Sequence, residues 1–106
     1  MIQTKQAIYN FIVNTFDDYS FNRLKEYDEY NEYYEWKEFE SYEEFLLHNK
    51  NCIDNLNDND TIFIHELCNK IRFNKIKTTD EENFITWGAS SIYFDTENRL
   101  VIMHPR

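Results

Sequence analysis

Apolar positions recur along the first sixteen residues at three- and four-residue spacing. Ala7, Ile8, Phe11, Ile12 and Phe16 share one side of a helix over residues 4–16, with Thr4 as its cap. Asp17, Asp18 and Ser20 break the pattern. A second stripe of Phe21, Leu24, Tyr27, Tyr30 and Tyr34 predicts a helix over residues 21–35, with acids on its far side. Crowded Tyr and Trp side chains lower helix propensity at its end, so a short strand around Tyr34 and Trp36 competes. Ser41-Tyr42-Glu43-Glu44 fits a capping box and is followed by Phe45, Leu46 and Leu47, which predicts a helix over residues 42–50. The run NKNCIDNLNDND, residues 49–60, reads as an Asn/Asp-rich loop. Asp58 or Asp60 would then cap a helix over residues 61–73 that buries Ile64, Leu67, Cys68 and Ile71.

Two readings compete over residues 80–87. Thr79-Asp80-Glu81-Glu82 is a second capping box and Gly88 can end a short helix, whereas the apolar and aromatic residues from Phe84 to Trp87 suit a strand. Beyond them, Ser91-Ile92-Tyr93-Phe94 and Leu100-Val101-Ile102-Met103 flank Asp95-Thr96-Glu97-Asn98. This is a hairpin in which Asn98 takes the left-handed position usually given to glycine. A lone hairpin is marginal in water and needs helices or a third strand to pack against. The chain of 106 residues is therefore expected to be a small single α+β domain. Three to five helices, including an acidic one around 21–35, would pack with a C-terminal antiparallel hairpin at 91–103.

Composition adds two constraints. Aromatic residues make up 18% of the chain, so rings must furnish much of the core or of an interface. There is one Gly and one Pro, so Asn, Asp and Ser must build the turns. No run approaches the length of a membrane-spanning helix, and the N-terminus lacks the apolar core and cleavage site of a signal peptide. With no export signal, Cys52 and Cys68 are expected to stay reduced, and the protein is expected to be cytoplasmic.

Charge is the most uneven feature. The net charge is −9, and residues 26–45 hold nine acids against the single base Lys37, which accounts for −8 of it. Such a surface repels nucleic acid, so no direct nucleic-acid binding is expected. Basic residues gather instead at Lys70, Arg72, Lys75 and Lys77.

Candidate chemistry is sparse. His48 and Cys52, with His65 and Cys68, form two pairs of zinc-type ligands, yet the order is unusual and no Gly or Pro tightens either pair. Cys68 also sits on an apolar stripe, where a cysteine is ordinarily a small core residue. Asn55, Asn57, Asn59, Thr61 and Glu66 fall at calcium-loop spacing. That loop expects Asp in place of Asn55 and Gly in place of Asp60, so an Asn-rich loop before a capped helix is the plainer reading. There is no glycine-rich phosphate loop, and none of His48, His65 and His104 lies in a nucleophile signature. Neither enzymatic activity nor a cofactor is expected.

The acidic stretch also holds rings at several angular positions of a helix, Tyr33, Trp36, Phe39 and Tyr42 among them. Some of these are expected to stand exposed among carboxylates, and aromatic anchors rimmed by charge suit a protein-binding surface. The expected contact residues are Glu29, Glu32, Tyr33, Glu35, Trp36, Glu38, Phe39, Glu40 and Glu43. The expected partner is a basic protein, above all a nucleic-acid-binding enzyme whose groove the carboxylates would occupy in place of phosphates. In size, acidity and want of catalytic motifs the chain resembles phage-encoded anti-defence proteins, including anti-CRISPR and DNA-mimic inhibitors. That resemblance implies inhibition by occlusion. Two alternatives are a non-catalytic interaction subunit or homodimer of a mobile element, with the acidic helix on the Lys70–Lys77 stretch of a second copy, and a His/Cys metal-binding regulator.

Overall fold

The fold comes from a computed structural model, which describes residues 2–26, 38–72 and 91–103. Four α-helices and one β-hairpin are present among them: α1 (Ile2–Thr15), α2 (Asp18–Glu26), α3 (Tyr42–Asp54), α4 (Asp58–Arg72), β1 (Ser91–Phe94) and β2 (Leu100–Met103). The α+β class expected from the sequence is thus observed. The readings for residues 27–37 and 80–87 lie outside the described residues.

Helix α1 buries Ile8, Phe11 and Ile12, as its spacing requires, and Phe16 follows into the core. It starts at Ile2 rather than at a Thr4 cap. The break at Asp17 is a cap as well as a stop. Its carboxylate accepts from the Ser20 N–H (2.8 Å) and its carbonyl from the Phe21 N–H (2.9 Å), so α2 begins at once, three residues before the expected start. The Ser20 backbone and hydroxyl hydrogen bonds hold the Asp17 carboxyl below its ordinary range, against a weaker opposing effect of burial.

The capping box of α3 forms with a shift. Ser41 is extended (φ −145°, ψ 164°) and its Oγ accepts from the Glu44 N–H. The Glu44 carboxylate reaches back to the Glu40 N–H (3.1 Å), one residue before the expected partner. The helix also runs four residues past its expected end. Asn49, where the helix and loop readings overlap, and Ile53, assigned to the loop from composition, are buried on its inner side. Lys5 donates to the carbonyls of Asp54 and Leu56 (both 2.9 Å) and so satisfies the end of the helix. The connection to α4 is correspondingly short. Asn57, rather than Asp58 or Asp60, caps α4: its Oδ1 accepts from the Asp60 N–H (2.7 Å) and its carbonyl from the Thr61 N–H (2.9 Å). Ile64, Leu67 and Cys68 are buried as expected, with Ile71 packed partly against them.

The hairpin pairs Phe94 with Leu100 and Ser91 with Met103. Its turn is closed by Asn98 N–H to Asp95 O (3.0 Å), and Asn98 has φ 66°, the left-handed conformation its sequence context called for. Strand β1 is closed to solvent along its whole length, which a solvent-facing hairpin strand would not be. It lies against α1, α3 and α4, with Tyr93 fully buried beside Phe16 and Phe45. Phe45 is the centre of the ring cluster. It meets Phe16 edge-on at 5.7 Å and Phe39 edge-on at 5.3 Å, and lies 5.2 Å from Phe21.

Asn49 explains how a strand can lie against a helix without losing hydrogen bonds. Its side-chain amide accepts from the Phe94 N–H (2.6 Å) and donates to the Phe94 carbonyl (3.4 Å), as a neighbouring strand would. The same amide donates to the Phe45 carbonyl one turn back (2.9 Å). A wholly buried polar side chain therefore fastens β1 to α3.

Candidate functional site

The surface beside the hairpin turn is assembled from three pieces: residues 38–40, the outward side of α3, and residues 95–98. A helix turns about 100° per residue, so Leu47 stands about 200° from Phe45 and faces away from the core. It is 62% exposed. Glu38, Phe39, Glu44, Leu47, His48, Asn51 and Thr96 line an open hollow of about 290 Å³ there. His48 and Asn51 also border a smaller hollow of about 180 Å³ that reaches Cys52 and Asn98.

Glu38, Glu40, Glu43 and Glu44 are all exposed, and among the described residues none of them forms an ion pair. Two of the four carboxylates are nevertheless held by neutral donors. The Thr96 hydroxyl donates to Glu38, and the Glu40 N–H donates to Glu44. Lys25 donates to the backbone carbonyls of Phe39 and Glu40. These contacts order Glu38 and Glu44 but neutralise none of the four carboxylates.

Of the expected contact residues, Glu29, Glu32, Tyr33, Glu35 and Trp36 lie outside the described residues. Glu38, Glu40 and Glu43 are on the surface. Phe39 is a correction: its ring is 3% exposed and packs on Phe45 and His48. Helical angular positions placed it outside, but it lies two residues before the Ser41 cap, outside α3, and is buried in the core. Tyr42 is half-buried and stacks with Phe45 at 6.2 Å.

The four metal-type ligands are not grouped: the described residues hold no cluster of three or more His, Cys, Asp or Glu that could hold a metal ion. His48 and Cys52 meet on one side of α3 (3.5 Å), whereas Cys68 is in the core and His65 is half-buried on α4. His48 Nε2 bonds the Asp95 carbonyl, and the Cys52 thiol donates to Asn98 Oδ1 (3.4 Å). These contacts fix the hairpin turn to α3. Burial, aided by the charge of Asp95, pushes the Cys52 thiol up; burial pushes Cys68 up to about 12. Both are thiols at neutral pH and weak nucleophiles. The calcium spacing fails as well, since residues 58–66 are helical and Asn57 is a cap.

Asp95 shapes the turn. Burial pushes its carboxyl up, but the Arg99 backbone and side chain (both 2.9 Å) and the Glu97 N–H (2.9 Å) outweigh that and hold it below its ordinary range. The sequence reading missed Leu47, Asn51 and Thr96 as surface features. The signal was available for Leu47, since three consecutive apolar residues on a helix cannot all face one core. None of the helices among the described residues is long and apolar enough to cross a membrane. No family model, curated protein or solved structure matches the chain.

Proposed function

We propose that this chain is a small acidic inhibitor or regulator that docks on a basic, nucleic-acid-processing protein. The observation that carries the reading is the row Glu38, Glu40, Glu43 and Glu44: exposed, and without an ion-pair partner among the described residues. It supplies four of the nine acids in residues 26–45, the stretch that holds −8 of the chain's −9 charge. Carboxylates at such density attract a cationic groove at long range and compete there with phosphates. A chain of this kind acts by occupying a site rather than by transforming a substrate, in the manner of anti-defence and DNA-mimic proteins.

The test is capture from lysate by the native chain and by the double variant Glu40→Lys/Glu43→Lys. Neither side chain makes a hydrogen bond among the described residues, so the variant should fold. The expected result is that the native chain retains nucleic-acid-binding proteins which duplex DNA elutes, and that the variant does not. Equal retention by both forms, or retention unaffected by DNA, would remove the reading. A homodimer is tested separately by sedimentation at low and high salt.

A further inference from the structure

Three features of the hollow beside the hairpin turn go beyond general acidity. A large apolar side chain, Leu47, is 62% exposed within it. Glu38 and Glu44 border it, each carboxylate fixed by a neutral hydrogen bond from Thr96 or from the Glu40 backbone. Asn51 adds an exposed amide to the lining, on the side where the second hollow begins.

A carboxylate has about four acceptor sites, and one donor leaves the others open. Because Glu38 and Glu44 are already ordered, a cation that binds them loses little of its affinity to immobilising side chains. The exposed Leu47 side chain in the same lining offers nothing to a small hydrated cation but suits a group that is charged at its tip and aliphatic along its stem. Arginine has that form, and its fork matches a carboxylate in two parallel hydrogen bonds. An extended segment would bring such a side chain in while its backbone meets Asn51.

We infer that this hollow is a docking site for an extended, arginine-bearing segment of a partner protein, with the arginine between Glu38 and Glu44 and its stem on Leu47. The inference rests on the acidic-docking reading and deepens it by naming the anchor. The occupant is chosen by charge complementarity together with the apolar patch. A second copy of this chain would instead offer Lys70 and Arg72, which lie exposed in the last turn of α4.

The probe is a fluorescent peptide of alternating arginine and leucine, with a lysine–leucine peptide of equal length and charge beside it. Binding is followed by anisotropy at about 50 mM salt, where charge pairing is least screened. Glu38→Gln/Glu44→Gln keeps both hydrogen bonds and removes two charges; Asp58→Asn/Glu66→Gln removes two from α4. The first pair is expected to weaken the arginine peptide about tenfold, and Leu47→Ser about fivefold, as anchors in small interfaces do. The α4 pair should change it less than about twofold, because screened charges off the site act weakly. Amide resonances of Leu47, His48, Asn51 and Thr96 should move with the arginine peptide, and less with the lysine one. Equal losses from both charge pairs, no effect of Leu47→Ser, or resonance changes centred on α4 would each overturn the site. If Glu40→Lys/Glu43→Lys abolishes capture from lysate while these variants bind the peptide normally, the acidic-docking reading survives and the hollow does not.

Discussion

Phe45, Asn49 and Ile53 on α3 are closed from solvent, while Glu43, Glu44, Leu47 and Asn51 on the same helix stand in it. The inner side makes contacts that determine one another. Phe45 fills the ring cluster, and Asn49 supplies the hydrogen bonds that β1 would otherwise lack on that edge. The outer side makes few contacts among the described residues, and its charges are not offset there. On the proposed function, stability and recognition would be divided across a single helix about 10 Å wide. Substitutions on the two sides should separate the two properties.

The largest effect should come from Phe45→Ala, which leaves a cavity lined by the rings of Phe16, Phe21, Phe39, Tyr42 and Tyr93. A loss of about 3–5 kcal/mol is expected in urea denaturation, and a loss below about 1 kcal/mol would mean that the cluster is loosely packed. Asn49→Ala should follow, at about 2–3 kcal/mol, because it strands the buried N–H and carbonyl of Phe94. Asn49→Leu fills the volume but not the hydrogen bonds, so it should not rescue stability. If it does, packing rather than hydrogen bonding fastens the strand.

The hairpin turn sharpens the comparison. Asn98→Ala should cost about 1 kcal/mol through its left-handed backbone, and Asn98→Gly less. Acid should act there too. The folded pKa of Asp95 lies below its ordinary 3.8, so the native turn binds fewer protons than the unfolded chain. Its contribution is present above pH 3.8 and is lost as pH falls through the lower folded value. The stability difference between the native chain and Asp95→Asn should thus shrink on acidification. A difference constant down to about pH 2 would show that the carboxylate carries no native-state preference. The smallest change is expected on the outer side, where Leu47→Ser and Glu43→Gln should move stability by less than about 0.5 kcal/mol.

Much of the inner side was legible before any coordinates. The Ser41 capping box, the Ile64, Leu67 and Cys68 stripe, and the demand for Asn98 at a left-handed position each follow from a local rule, and each is observed. What escaped was tertiary. Residues 49–54 have the composition of a loop, and Asn49 is a poor helix former, yet it is retained in α3 because its amide does the work of a strand. Nothing in the local pattern reveals a partner forty-five residues away. Phe39 was misplaced because a helical wheel was applied to a residue just outside the helix. On the outer side the excess of charge was plain, but the ordering of Glu38 by Thr96 depends on how the hairpin turn meets α3.

The central claim is that the exposed carboxylates of residues 38–44 dock a cationic protein surface. It is tested most directly by measuring the affinity of the captured basic protein for the native chain and for Glu40→Lys/Glu43→Lys across a salt series. Affinity of the native chain should fall steeply from about 50 to 300 mM salt, and the variant should bind weakly throughout with a flatter dependence. Tight binding that is indifferent to salt and to the reversal of these two charges would contradict it.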